Sequence, residues 1–217
     1  ERGGIEHGLT NVLKIGVLTD RRRHAHPGTF ASRTLTMIST LFGRKRITEE
    51  KLANAVVGRV FDLTENAYPL VVEELQDAPE FTVRPVFGPG DDELFALIIL
   101  AGNLLDAPKH MPAGQDRRFV AHAISKYGAA MDIPASELET EVIALERFME
   151  RVNHPSKNTV YAMSKTIFHK YDLFRFQDTY FRSMKAPNPI VLSRLNKLMA
   201  FCLWDWSEVL DGWKVTQ

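Results

Sequence analysis

The sequence predicts an all-α fold: a single globular bundle of about seven helices joined by short Pro-containing loops, preceded by a basic leader. Three observations carry this. After residue 47, apolar residues recur at steps of three and four through nearly every long window, the period of a helix face. Capping and stopping residues bracket those windows, so helix starts and ends are legible. Alternating apolar and polar runs, the pattern of half-buried strands, are scarce.

Charge divides the chain before any element is assigned. Residues 1–46 hold nine Lys/Arg against three Asp/Glu, including Arg21-Arg22-Arg23 and Arg44-Lys45-Arg46. Residues 47–115 hold four against twelve and residues 116–217 fourteen against twelve, so a net charge of zero conceals three regimes. The expected division is a leader over 1–46, flexible or outside the fold, and an all-helical domain over 47–217. That domain alone carries eighteen basic and twenty-four acidic residues and is mildly acidic.

The leader has three readings. An Arg-rich, acid-poor stretch with Phe30, Leu35, Ile38, Leu41 and Phe42 on an apolar side has the composition of a cleavable organelle-targeting peptide. Since Met37 is the first methionine, it also reads as an extension ahead of a later start. As a basic arm it would reach an acidic protein, a lipid headgroup or nucleic acid through long-range attraction.

The elements follow in order. Thr48 is a good N-cap, with Glu49 and Glu50 at the positive end of the helix dipole. Leu52, Val56, Val60 and Leu63 share one face, and Pro69 is expected to end or kink this helix near Tyr68. A short second helix then runs to Gln76. Pro79, Pro85 and Pro89 with Gly88 and Gly90 make residues 81–87 an extended connection or one short strand. Asp91, Asp92 and Glu93 open a helix in which Leu94, Phe95, Leu97, Ile98, Ile99 and Leu100 leave almost no polar side, the mark of a central helix. Phe119, Ala123 and Tyr127 align in a helix over 115–130.

Ser136 with Glu139 reads as a capping box, and Leu138, Val142, Leu145, Met149 and Val152 continue it as a short seam. Asn153-His154-Pro155 stops that helix, Ser156 is expected to cap the next, and a short helix around 174–184 precedes Pro187. The last helix is expected to run unbroken over 190–213. Val191, Leu195, Leu198, Cys202, Trp206, Val209 and Trp213 keep its three-and-four spacing.

Composition and motifs narrow the function. Cys202 is the lone cysteine and no Asn-x-Ser/Thr acceptor occurs, so a cytoplasmic, reducing compartment is expected, or an organelle matrix if 1–46 is a targeting leader. The longest apolar stretch, residues 94–105, would be about 18 Å long as a helix against about 30 Å of hydrocarbon, so the chain is not expected to be transmembrane. His24 and His26 stand beside three arginines, and His-Glu-x-x-His, Cys-x-x-Cys and Glu-x-x-His are missing, so no metal is expected. Neither glycine-rich phosphate motif is present, and Asp91, Asp92 and Glu93 would repel an anion from the helix start after Gly88-Pro89-Gly90; no cofactor is expected. Cys202 lies among Phe201, Leu203 and Trp204, a packing environment in which a thiolate is disfavoured.

Two groups of residues remain. Asn153, His154, Ser156, Lys157 and Asn158 put an amide, an imidazole, a hydroxyl and an ammonium in one turn before a helix N-terminus, where a small anion or a partner's carboxylate would fit. The same residue types also stop and cap helices. Phe174, Phe176, Tyr180 and Phe181 interleave with Lys170, Arg175, Arg182 and Lys185, and Trp213 lies beyond them. This pattern fits a protein partner. Aromatics with positive charge also suit single-stranded nucleic acid, but Asp172 and Asp178 dilute the charge and disfavour it. The expected function is a noncatalytic protein-interaction or scaffold module. The alternatives are a small-molecule-binding protein or enzyme using residues 153–158, and a nucleic-acid binder using the leader and residues 168–185.

Overall fold

Residues 44–217 are described by the structure, a computed structural model; the leader readings for residues 1–43 lie outside the described residues. Strand β1 (Lys45–Thr48) passes directly into helix α1 (Glu49–Gln76), so Lys45 and Arg46 belong to an element rather than to a leader. Thr48 caps α1 as its sequence position predicts, its hydroxyl accepting from the Lys51 N–H at 3.3 Å. The helix does not end near Tyr68. It continues through Pro69 and absorbs the expected second helix, because Val71 and Leu75 prolong the buried stripe beyond the proline. Burial of those side chains offsets the hydrogen bond that Pro69 cannot donate.

Helix α2 (Asp91–Asp106) is the centre of the bundle, with Phe95, Ile98, Ile99 and Leu100 fully buried and α1, α4 and α5 packed around it. A short 3-10 turn (Ala107–Lys109) leads to α3 (Gln115–Met131), which lies along α1, and to α4 (Ala135–Asn153). Helix α5 (Thr159–Lys170) packs against α2 so closely that a Cβ on Gly102 would stand 2.5 Å from the Met163 sulfur. A 3-10 turn (Leu173–Phe176), α6 (Thr179–Met184), α7 (Pro189–Ala200) and α8 (Trp206–Gly212) complete eight α-helices among the described residues. The chain closes with β2 (Trp213–Thr216), parallel to β1 with Lys45 opposite Trp213 and Thr48 opposite Thr216. Among the described residues the fold is all-α apart from this pair of short strands and one isolated antiparallel bridge, Phe81 to Gln177.

Both of the other expected caps lie elsewhere. Pro134 occupies the entry of α4 with extended backbone, its carbonyl accepting from Glu137 and Leu138, and Ser136 falls inside the helix. Asn158, not Ser156, caps α5 by accepting from the Tyr161 N–H at 2.9 Å. The unbroken C-terminal helix is also corrected. Its apolar spacing persists, but Asn103 reaches across from α2, donating to the Cys202 carbonyl and accepting from the Trp204 N–H, both at 2.9 Å. Those backbone groups are then unavailable to a helix, and the chain turns between α7 and α8. No helix among the described residues is long and apolar enough to cross a membrane.

Candidate functional site

Two surfaces warrant a chemical reading: a polar junction beside residues 153–158 and an apolar ledge built by α6 and α7. Asn153 ends α4 with its side chain turned inward, donating to the Ser156 carbonyl at 3.2 Å and the Asn158 carbonyl at 2.9 Å. Its buried Oδ1 has no hydrogen-bond partner among the described residues. His154, Ser156, Lys157 and Asn158 are exposed, and the Ser156 hydroxyl accepts from the Asn158 N–H. These contacts shape the turn. The five predicted residues share it, and the side chains of Asn153, Ser156 and Asn158 are engaged with its backbone.

The turn does lie against a cluster that sequence reasoning missed. Asp106, buried at the end of α2, accepts from the Lys109 ammonium at 2.7 Å and the Thr159 hydroxyl at 2.6 Å through Oδ1, while Oδ2 faces His110 Nε2 at 3.1 Å. Lys109 also donates to Thr159 Oγ1 at 2.7 Å and to the Lys157 carbonyl at 3.3 Å. Burial works against the Asp106 anion, yet the hydrogen bonds from Lys109 and Thr159 outweigh it and hold this carboxyl below its ordinary range. The one available sequence signal was Asp106-x-x-Lys109-His110, a spacing that puts both bases over one carboxylate. Both oxygens of that carboxylate are occupied, so the cluster acts as a clip between α2 and the start of α5.

Cys202 is buried, burial pushes its thiol up to about 12, and its sulfur faces the Leu198 carbonyl. Among the described residues no group of three His, Cys, Asp or Glu is placed to hold a metal ion.

The ledge begins where the predicted aromatic strip divides between core and surface. Phe176 is only 6% exposed and meets Phe81 edge-on at 6.4 Å. Trp213 is 5% exposed, with Lys45 over its ring at 5.5 Å. Neither presents a contact face, because Phe176 closes the core beneath residues 81–83 and Trp213 begins the strand that covers β1. Phe174 is partly covered by Phe168 and His169, with ring centroids 4.9 and 4.8 Å away. Phe181 is half-buried. Tyr180 is 64% exposed, and Met184, one turn further along α6, is 56% exposed. Ile190, in the first turn of α7, is 55% exposed and was not anticipated.

A buried amide fixes this surface. Gln177 donates to the Ala186 carbonyl at 3.0 Å and accepts from the Asn188 N–H, tying the residues before α6 to those before α7. Pro187 and Pro189 stiffen the connection. Helix α6 contributes no fully buried residue, and Phe181 is its one half-buried side chain.

Compared with known proteins, the chain matches no protein-family model, no curated protein and no solved structure.

Proposed function

We propose that the chain is a noncatalytic protein-interaction domain whose contact surface is the ledge of Tyr180, Met184 and Ile190. The observation that carries this is a short helix with no buried residue yet two large, well-exposed apolar side chains, its start tied by a buried glutamine to the residues before α7. Aromatic and methionine side chains on a preorganised surface are the usual anchors of an interface. The reading goes with a reducing, cytosol-like compartment, which the lone buried Cys202 favours.

The 153–158 alternative has less support: four of its five residues are exposed and the fifth is turned inward to hold the turn. Nucleic-acid stacking is disfavoured too, since Phe176 is buried and Phe174 is partly covered by Phe168.

Photo-crosslinking in native extract tests the proposal. A photoreactive residue at position 180 should give a discrete protein adduct, and one at Ile143, exposed on α4, should not. The absence of any protein adduct from 180, or the same adducts from both positions, would count against an interaction surface here.

A further inference from the structure

Resting on that reading, we infer that the partner segment docked on the ledge is an acidic amphipathic helix. The chain between Asp178 and Asp205 contains no acidic residue, whereas Arg182, Lys185, Arg194 and Lys197 all fall inside that interval. Arg194 is directed to the fold, donating to Glu74 at 2.7 Å and approaching Glu80 at 3.4 Å. Arg182, Lys185 and Lys197 are exposed and, among the described residues, join no ion pair. Asp178, at the entry of α6, is engaged by the Phe181 N–H, so the exposed charged side chains that α6 and α7 themselves carry are all basic, in a domain whose overall balance is acidic.

Two exposed apolar side chains mark the ends of α7, Ile190 in its first turn and Phe201 at its C-cap, with Lys197 between them. Ile190, Lys197 and Phe201 are seven and four residues apart, which puts them within about 40° of one another over about 16 Å of helix. Phe201 is 41% exposed. Gln177 ties the residues before α6 to those before α7, so Ile190 and the Tyr180–Met184 pair are carried by two helices whose starts are joined. Recognition here runs through side chains, because α6 and α7 are helices and offer no strand edge to pair with. A helix with apolar residues at every third or fourth position and carboxylates beside them supplies both the anchors and the opposite charge. An anionic bilayer would use the same two ingredients, but on α6 and α7 the three cations unpaired among the described residues fall short of the clusters of about four to eight that lipid surfaces recruit.

Binding of synthetic probes to the full chain tests this. The probes are an acetylated helical peptide of about 18 residues with leucines on one face and glutamates on the other, its lysine twin, and phosphatidylcholine vesicles with and without phosphatidylserine. The acidic peptide should bind at least about tenfold tighter than the lysine twin, and rising salt should erode the difference. Tyr180→Ser should weaken it by about tenfold or more. The double change Lys185→Glu, Lys197→Glu should invert the preference toward the lysine twin. These side chains are exposed, and thermal unfolding of each variant confirms that the fold is intact. Equal binding of the two peptides, no binding of either, or phosphatidylserine-dependent vesicle binding abolished by the same variants overturns the inference. A protein adduct from position 180 without any preference for the acidic peptide leaves the interaction reading standing and removes only the partner's chemistry.

Discussion

Asn103 is fully buried in the middle of α2, where its side chain bonds the Ile99 carbonyl, the Cys202 carbonyl and the Trp204 N–H. Asn103→Leu keeps the volume apolar but leaves the last two groups buried without partners, at about 1–3 kcal/mol each. Urea unfolding should show a loss of about 3 kcal/mol with little change in slope. A loss below about 1 kcal/mol would mean that something else holds the turn.

Two carboxylates make opposite predictions with pH. Glu49 is buried, and the Arg118 guanidinium, bonded to both its oxygens at 2.8 Å, holds its carboxyl below the ordinary value. A depressed value in the fold means stabilisation that is present above the unfolded value of 4.5 and lost as pH falls through the folded one. Glu146 behaves in the other direction: burial first, and Glu150 second, push it up to about 7. Its fold prefers the neutral acid, so stability is lost as pH rises from 4.5 through about 7. Thermal midpoints across that range should show Glu146→Gln above the parent at about pH 8, with the gap closing toward about pH 4.5. Glu49→Gln should lie below the parent at neutral pH and converge with it in acid. Parallel curves for either variant would show that its carboxyl does not titrate differently in the fold.

At the scale of elements, the helix starts divide into those the sequence could reveal and those it could not. Thr48 caps α1 because the residues around it contain the whole signal: a hydroxyl, two acids and an apolar stripe. The capping box at Ser136 fails because Pro134, two residues earlier, already gives the chain an extended entry and a free carbonyl. Two substitutions separate the cases. Asn158→Ala should cost about 1 kcal/mol through the lost bond to the Tyr161 N–H, whereas Ser136→Ala should be nearly neutral. Pro69→Ala should do the reverse of a usual core mutation. It gives the Glu65 carbonyl an N–H partner at an exposed position without disturbing Val71 or Leu75, and should stabilise the protein by about 1–3 kcal/mol. No gain in chemical denaturation would indicate that α1 is bent at this point and that its packing depends on the bend. The break after Ala200 has a different origin, since apolar spacing continues across it and the cause lies about a hundred residues away in Asn103.

For the molecule as a whole, helical periodicity revealed which faces are buried but not how the chain ends meet. Strands of four residues are too short for alternation to register, and β1 was obscured by its position inside an Arg/Lys run that read as leader. The candidate surface was half legible for a related reason. Periodicity cannot tell an aromatic that covers the core from one that stands on it, so Tyr180 and Trp213 looked alike. The structure separates them, and one variant can test the separation. Trp213 is buried where β2 covers β1, with Ile47 also buried in the opposite strand and Lys45 over the indole. Trp213→Ser should therefore lower stability by about 3–5 kcal/mol, as for other large-to-small changes at buried aromatics. Amides of β1 should exchange faster with solvent, because the strand loses its cover. Under conditions where the variant remains folded, photo-crosslinking from position 180 should be unchanged, since the ledge is fixed by Gln177 rather than by the sheet. The contrary result, stability preserved and the adduct from 180 lost, would move Trp213 out of the core and into the interface.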